Sequence, residues 1–275
     1  MKQLPTALLV MALCGWASAT SAAQRLVSIG GMVTEIVYAL GAGNELVATD
    51  TSSIYPTAAT QLPQVGYQRS LSVEGVLSQH PNLLLLADEA GPKNVIEQLK
   101  ANQIKIVRIH SAHTPAEINT EIRQIAKALN RIPAGEALIT QIEQQLAAIK
   151  PVTGPPPRLL FILQMGGSPM IAGQQTAPDE LFKLAGAVNA AGDISGFKPL
   201  TPEALIAAKP DAIVVTTQGS ARHGGSDKLW QLPAMALTQA GKHQHLIQLD
   251  ALLALALGPR TPQAVAQIQQ QLPKP

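Results

Sequence analysis

Short apolar runs rich in β-branched residues alternate along the chain with segments in which apolar residues recur every three or four positions. The short runs predict strands and the periodic segments predict helices. Strands are predicted at residues 25–30, 45–49, 82–87 and 105–110, and helices at residues 33–40, 93–103 and 114–128. Because strands and helices alternate, we expect a parallel sheet, whose ligands bind beyond the carboxyl ends of its strands.

A long helix predicted at residues 136–150 divides this pattern into two halves. Its apolar positions keep helical spacing, and breaks at 130–135 and in the proline-rich segment 151–157 bound it on both sides. Beyond it, strands are predicted at 158–163, 212–216 and 245–249. The sequence thus predicts an α/β protein with two Rossmann-like lobes at 24–132 and 154–275, a single connecting helix at 133–153, and a ligand cleft between the lobes. The second-lobe strand ends at Gln164, Thr217 and Asp250 would face the first lobe across this cleft.

The two halves also share a local sequence pattern. LSVEGVLSQHPNLLLL at residues 71–86 is echoed by LTPEALIAAKPDAIVV at residues 200–215. Each copy reads as a hydroxyl cap, a glutamate, a short helix, a proline and a buried strand. Glu74 and Glu203 therefore occupy equivalent positions. A glutamate near a helix N-terminus also stabilises the helix dipole, which is the simpler interpretation of both residues.

Composition and charge narrow the possible functions. The chain has 275 residues, of which 46% are apolar, and a formal net charge of +2, which provides no basic field for nucleic acid. Lys2, an apolar stretch at 8–16 and small residues at 17–23 predict a cleaved signal peptide over residues 1–23. This segment contains Cys14, the only cysteine. The exported protein would therefore contain no disulfide and no thiolate metal site.

The segment QVGYQRSLSVE at residues 64–74 carries the most specific chemistry. Tyr67 precedes Arg69 by two residues, and a guanidinium beside a phenol oxygen favours the ionised form. A tyrosine phenolate can bind ferric haem iron. The alternatives are a tyrosine packed in a loop with its hydroxyl bonded to the backbone, and an arginine that is a solvated loop cation.

Other chemistries lack their motifs. The sequence has no P-loop, dinucleotide-binding glycine fingerprint, HExxH, cysteine pair or GxSxG. His110 and His113 follow a predicted strand and could belong to a zinc or manganese site. The other interpretation is that they are residues of the cleft edge.

Four segments carry a family resemblance: residues 25–50, 55–86 with VGYQRSLSVEG, 229–243 with LWQLPAMALTQAGKH, and 258–262 with GPRTP. With these, the chain resembles the periplasmic haem-binding proteins of bacterial haem ABC importers, within the vitamin B12-binding-protein-like class of substrate-binding proteins. The resemblance covers nearly the whole chain after residue 23. It implies two α/β lobes bridged by one long helix.

The resemblance implies that Tyr67 is the axial ligand of a ferric haem b, the transported ligand, with Arg69 beside it. Some relatives have a histidine after the first strand of the second lobe. Here that place holds Gln164 and Met165, so Met165 is either a weak thioether ligand or a residue packed on the porphyrin. Because this histidine is missing, the resemblance does not support a second iron ligand from the protein or the binding of a second haem. Candidates for the haem propionates are Arg222, His223 and Arg260.

The resemblance also implies partners. Glu74 and Glu203 match paired carboxylates that meet arginines of two permease subunits, a geometry that the fork of arginine suits. We therefore expect a monomeric periplasmic receptor, not an enzyme, that delivers haem to an inner-membrane permease and ATPase complex. The alternatives are a receptor for a corrinoid or a ferric siderophore, with Tyr67 only lining the cleft, and a haem-dependent enzyme that uses peroxide.

Overall fold

The computed structural model describes residues 24–164, 168–222 and 225–273. The predicted signal peptide at 1–23, Met165 and His223 lie outside these residues.

The first lobe is built on a four-stranded parallel sheet with the strand order β2-β1-β5-β6. Its elements, in chain order, are β1 Leu26–Ile29, α1 Gly31–Ala39, β2 Leu46–Thr49, β3 Gly66–Tyr67, β4 Ser70–Leu71, α2 Val73–Leu77, β5 Leu83–Ala87, α3 Lys93–Ala101, β6 Lys105–Ile109, α4 Pro115–Ala128 and α5 Ile132–Ala147, with 3-10 helices at Gly43–Glu45 and Thr57–Gln61. All five residues of β5 are buried. Leu83 and Leu85 pack with α1 and α4, whereas Leu84 and Leu86 pack with α3 on the other face. A strand covered on both faces is expected to be apolar throughout, as this one is.

The second lobe contains a sheet of order β10-β8-β7-β11-β12, with β9 also paired to β7. Its elements are β7 Arg158–Leu163, β8 Met170–Ala172, α6 Ala177–Leu184, β9 Val188–Asn189, β10 Phe197–Pro199, α7 Pro202–Ala208, β11 Ala212–Thr216, α8 Thr217–Arg222, α9 Ser226–Trp230, α10 Gln239–His243, β12 Leu246–Leu249, α11 Ala251–Leu255 and α12 Thr261–Gln270, with a 3-10 helix at Met235–Leu237. β7, β11 and β12 are parallel, as predicted, whereas β8 and β10 add an antiparallel edge. The predicted α/β class is confirmed.

The helix between the two sheets begins earlier than predicted. α5 starts at Ile132, with Pro133 in its first turn, where the fixed φ of proline fits and no backbone donor is lost. Gly135 does not break the helix. A Cβ atom at this position would lie 2.6 Å from the Ala126 Cβ, so the glycine allows α4 and α5 to pack closely. Among the described residues, no helix combines the length and apolar character needed to cross a membrane.

One buried carboxyl group lies on α4. Glu121 is 2% exposed, and its Oε2 atom accepts a long hydrogen bond of 3.4 Å from the Ala112 N–H. Burial raises the pKa of Glu121 to about 8, and the charges of Glu89, Glu35 and Asp88 act in the same direction. At neutral pH this carboxyl group is therefore protonated in the folded protein.

We expect the stability of the protein to fall as the pH rises from the ordinary glutamate pKa of 4.5 to about 8. Over this window the folded state retains a proton on Glu121 that the unfolded chain has released, so a rising pH favours unfolding, by roughly 3–5 kcal/mol in total. Urea unfolding at a series of pH values measures this slope. Glu121→Gln should remove it and stabilise the protein above the window.

Glu117→Gln is the control for this experiment, because Glu117 lies on the same helix and its side chain is 37% exposed. Hydrogen bonds from the backbone N–H groups of His113 and Thr114 lower the pKa of Glu117, so this group titrates below the window. The control variant should retain the slope. A wild-type protein of constant stability across the window would contradict the assignment.

Candidate functional site

The segment that carries Tyr67 is a β-hairpin. β3 and β4 pair antiparallel, with Tyr67 opposite Ser70. Backbone hydrogen bonds fix the hairpin to the first sheet. The Thr51 N–H donates to the Gly66 carbonyl at 2.9 Å, and the Gly91 N–H donates to the Gln68 carbonyl at 2.9 Å. Because Thr51 and Gly91 follow β2 and β5, the hairpin lies at the carboxyl edge of the sheet.

The end of the central strand β1 lies beneath the same hairpin. Gly30 has φ 110°, and a Cβ atom there would lie 2.7 Å from the Ala87 Cβ and 3.3 Å from the Gln68 Oε1 atom. A glycine is required because of both its φ and this close approach. The ends of three neighbouring strands thus meet under residues 66–71.

The Tyr67 side chain is 40% exposed and, within the described part of the chain, has neither a hydrogen bond nor an aromatic contact. Arg69 is also exposed and has no ion pair among these residues. The alternative of a packed tyrosine with its hydroxyl bonded to the backbone therefore has no counterpart in the structure. The phenol oxygen is available to a ligand.

Asp50 fixes the turn below the hairpin. This carboxylate is fully buried and accepts hydrogen bonds from the Gly30 N–H at 2.9 Å, the Ser52 N–H at 2.9 Å, the Ser52 hydroxyl at 2.7 Å and the Ser53 hydroxyl at 2.9 Å. Four donors satisfy the buried charge. The carboxyl edge of the first sheet is therefore rigidly held by polar contacts.

The second lobe meets this edge through two close contacts. A Cβ atom at Gly31 would lie 3.0 Å from the Leu252 Cδ1 atom, and one at Gly258 would overlap the Met32 sulfur. Gly31 begins the helix after β1, and Leu252 belongs to the helix after β12. The carboxyl edges of both sheets therefore face each other, as predicted for a cleft between the lobes.

The predicted second-lobe residues lie at the carboxyl edge of the second sheet. Gln164 is buried directly after β7, and a Cβ atom at Gly219 of α8 would lie 3.1 Å from the Gln164 carbonyl oxygen. Arg222 is exposed at the last residue of the same helix. Nearby, the Gln218 amide donates to Asp250 at 2.6 Å.

The structure places Arg260 in a contact that the sequence did not indicate. Its Nε and Nη2 atoms donate to the Glu35 Oε2 atom at 2.9 and 2.7 Å, and its guanidinium carbon lies 3.5 Å from the centroid of the Tyr55 ring. The side chains of Arg260 and Glu35 are 14% and 3% exposed. Since partners within the protein occupy this guanidinium, Arg260 is not a free cation for a propionate. The sequence signal for the pair is a lone charge, Glu35, in an otherwise apolar helix.

Burial raises the pKa of Glu35, and the hydrogen bonds and charge of Arg260 oppose this rise. The pair borders a cavity of about 600 Å³ beside α5, to which Tyr38 and Gln141 also contribute. A second cavity of about 530 Å³ is lined by His113 and Thr114 of one lobe and by Asp179 and Lys183 of the other. Tyr67 lines neither of them.

The two histidines after β6 do not form a metal site. The His110 Nδ1 atom lies 3.1 Å from the Asp88 Oδ2 atom, and the rings of His110 and His113 meet edge to face at 6.1 Å. In residues 24–164, 168–222 and 225–273, no group of three or more histidine, cysteine or acidic side chains could hold a metal ion. The zinc or manganese alternative therefore lacks a ligand set there.

The internal repeat is present in the structure. The Ser72 hydroxyl accepts from the Gly75 N–H at 3.0 Å, and the Thr201 hydroxyl accepts from the Ala204 N–H at 3.1 Å, so each caps a short helix. Glu74 and Glu203 occupy the second position of α2 and α7. Both are exposed, and neither carboxylate has a hydrogen bond or ion pair in the described residues.

Comparisons with known proteins identify relatives of the whole described chain. A family profile described as periplasmic binding protein matches residues 26–253. The periplasmic haem-binding protein RhuT from Roseiflexus sp. RS-1, solved in its apo form, is 38% identical with a TM-score of 0.87, over 90% of this chain and 97% of that one. The periplasmic haem-binding protein BhuT, solved in complex with two haems, is 38% identical with a TM-score of 0.84, over 90% of this chain and 97% of that one.

A curated relative has a different ligand in its name. The vitamin B12-binding protein of Pectobacterium atrosepticum is 29% identical over 216 residues, which cover 75% of this chain and 74% of that protein. The matches confirm the predicted resemblance to this class of substrate-binding protein. Since the family and the solved neighbours are transport receptors, they also confirm the prediction that the protein is not an enzyme.

Arg260→Met should lower the free energy of unfolding by about 3–5 kcal/mol at neutral pH, because it leaves the buried Glu35 carboxylate without its partner. Urea unfolding measures the loss. The double variant Glu35→Gln with Arg260→Met should regain part of it. Arg123→Met removes an exposed pair with Glu136 and should leave the unfolding midpoint almost unchanged. If Arg260→Met and Arg123→Met change the free energy of unfolding equally, the buried pair between the lobes stabilises the protein no more than an exposed pair does.

Proposed function

Because the chain belongs to the periplasmic binding protein family, we propose that it is a periplasmic receptor that captures one ferric haem b through Tyr67 and delivers it to an inner-membrane ABC importer. The substrate-binding role follows from the family. Haem, the tyrosine ligand and the importer are the proposed part. Export by a signal peptide at residues 1–23 would place the receptor in the periplasm.

The observation that supports haem is the free phenol on the anchored hairpin. Ferric iron is a hard acid and a phenolate oxygen is a hard base, so the oxidised cofactor is favoured. Tyr67 is 40% exposed and unpaired among the described residues, on a segment whose backbone is tied to the loops after β2 and β5. The Tyr67 side chain would therefore be in place before haem binds. Its oxygen would not have to break a hydrogen bond within the protein in order to bind iron. The solved neighbours named as haem-binding proteins support the same ligand.

The other residues contribute in different ways. Arg69, two residues beyond Tyr67 on the same hairpin, is an exposed cation that would lie beside the iron-bound tyrosine. Arg222, exposed at the end of α8, could pair with a propionate across the cleft. Gln164 lies buried at the end of β7 and could contact the porphyrin as the floor of the second lobe. Met165 keeps its two proposed roles, as a thioether ligand or as a packing residue.

A second candidate ligand is a corrinoid, which the relatives named as vitamin B12-binding proteins favour. In that case Tyr67 would line the cleft without binding a metal. The two candidates differ in how they depend on the phenol oxygen, because a lining tyrosine contributes mainly its ring.

Tyr67→Phe should abolish the ferric high-spin tyrosinate absorption bands of the haem complex and weaken haem binding about 100-fold, since it removes only the oxygen that binds iron. Titration of the apo protein with haem and with cyanocobalamin, followed by absorption, measures both affinities. An iron count on the complex gives the number of haems per chain.

Tyr55→Phe is a matched control, because Tyr55 is 41% exposed and its ring contacts Arg260 rather than a ligand. It should bind haem as the wild type does. If Tyr67→Phe keeps the wild-type bands and affinity, the ligand assignment is wrong. If cyanocobalamin binds and haem does not, the corrinoid is the ligand.

We further propose that Glu74 and Glu203 dock onto arginines of the two permease subunits. Both carboxylates are exposed, unpaired among the described residues and located on equivalent capped helices of the two lobes. Two separated charges on one body can fix its orientation on a partner with two-fold symmetry. The arginine fork suits each carboxylate.

Glu74→Gln with Glu203→Gln should abolish haem uptake by vesicles that contain the purified importer, while haem affinity stays unchanged, because the charges lie outside the haem contact. Uptake and haem titration measure the two properties. Glu97→Gln with Glu136→Gln, an equal change of charge at exposed sites, should transport normally. Wild-type uptake by the first pair would remove the docking role.

A further inference from the structure

The two helices that carry Glu74 and Glu203 are held at their C-terminal ends by arginines. Arg25 donates from Nε to the His80 carbonyl at 2.9 Å and from Nη2 to the Gln79 carbonyl at 2.6 Å. Arg158 donates from Nε and Nη2 to the Ala208 carbonyl at 3.0 and 2.8 Å. The Ala208 carbonyl belongs to the last residue of α7, whereas the Gln79 and His80 carbonyls lie just beyond α2 and its C-cap, Ser78. Each guanidinium therefore binds carbonyl groups at or just after the end of a helix.

The backbone of each arginine is fixed as well. The Arg25 N–H donates to the Asn82 side chain at 2.9 Å, and the Arg158 N–H donates to the Asp211 carboxylate at 2.8 Å. In return, the Asn82 N–H donates to the Arg25 carbonyl at 3.0 Å, and the Asp211 N–H donates to the Arg158 carbonyl at 2.8 Å. A corresponding contact thus occurs once in each lobe, at equivalent places in the chain. The guanidinium bonds differ in detail, because Arg25 binds two carbonyl groups whereas Arg158 binds the Ala208 carbonyl twice and also the Ala190 carbonyl at 3.3 Å.

These contacts connect each glutamate helix to a strand that leads to the cleft. Arg25 immediately precedes β1, which Gly30 follows, and Arg158 begins β7, which Gln164 follows. Both strands lie inside their sheets. A helix fixed to the start of such a strand moves together with the whole lobe.

The helices need this support because they are short. α2 has five residues and α7 has seven, well below the length at which a helix is stable by itself. Their direction therefore depends on the hydroxyl cap at one end, the arginine at the other end and a few buried side chains such as Val76 and Leu205. If the helix were loosely held, the carboxylate of its exposed glutamate would sample many positions relative to the lobe.

We propose that Arg25 and Arg158 are positioning residues for docking: each fixes the Glu74 or Glu203 helix to the first strand of its lobe, so that both carboxylates meet the importer at a set separation. This inference rests on the proposed docking function. The arginines do not contact the importer; they act through the glutamates. Force applied to the carboxylates would then reach the lobes directly.

The test uses Arg25→Met with Arg158→Met in the full-length receptor, since methionine keeps much of the side-chain bulk and removes the donors. With the purified importer in vesicles, the receptor concentration that gives half-maximal stimulation of ATP hydrolysis should rise roughly tenfold. Haem affinity should not change. Arg123→Met, at an exposed pair on α4 and α5, should leave both properties unchanged.

A double-mutant cycle distinguishes positioning of the glutamates from a general contribution of Arg25 and Arg158 to stability. The background for this cycle is Glu74→Gln with Glu203→Gln, assayed at receptor concentrations high enough to restore measurable stimulation of ATP hydrolysis. There the two methionine substitutions should cause no further loss of stimulation, because there is no carboxylate left to position. A further loss of similar size would show that the arginines touch the importer or act through general stability, and would overturn the proposal.

A melting curve shows whether the methionine variant is folded. If it is not, the variants Arg25→Lys and Arg158→Lys test the proposal instead. Lysine retains the charge but not the planar fork, so intermediate stimulation is expected. Wild-type stimulation by folded lysine and methionine variants overturns the positioning role alone. Wild-type stimulation by Glu74→Gln with Glu203→Gln overturns docking itself.

Discussion

A buried ion pair between residues that are 225 positions apart joins the two lobes. Arg260 reaches from the start of α12 to Glu35 on α1, and Tyr55 covers its guanidinium. Removing both charges from water is costly, so such a pair persists where its geometry is good and neighbouring groups complete it. Here two N–H groups converge on the Glu35 Oε2 atom, whereas the buried Oε1 atom has no hydrogen-bond partner among the described residues. The pair lies near the contact of Met32 with Gly258, and together they set how the two sheets face each other.

The facing sheets create a binding site because of their parallel strands. In each lobe the carboxyl ends of the parallel strands face the other lobe, and the loops that follow the strands cover these ends. In the first lobe Asp50 gathers four donors under this edge, and the Tyr67 hairpin lies above it. In the haem site that we propose, the ligand would contact Tyr67 on one side and Gln164, which follows β7, on the other.

Much of this arrangement could be predicted from the sequence. The long parallel strands show as apolar runs such as residues 82–87, and the repeat of Glu74 and Glu203 predicts two equivalent capped helices. The two-residue and three-residue strands could not be predicted, because β3, β4, β8, β9 and β10 are too short to show a period. Nor could the partner of Arg260, since no local pattern joins the two ends of the chain. The sequence around Tyr67 identified this residue as a candidate ligand. Only the structure shows that its hydroxyl has no hydrogen bond among the described residues.

The way in which the hairpin is fixed has a consequence for the evolution of ligand choice. Its ties to Thr51 and Gly91 use main-chain groups alone, so any side chain at positions 67 and 69 can be presented on the same scaffold. Exchanging two residues there would alter what the cleft recognises at little cost to folding. A lineage of importers could in this way acquire new cargoes by point substitution, which is consistent with relatives on this fold being named for haem and for vitamin B12.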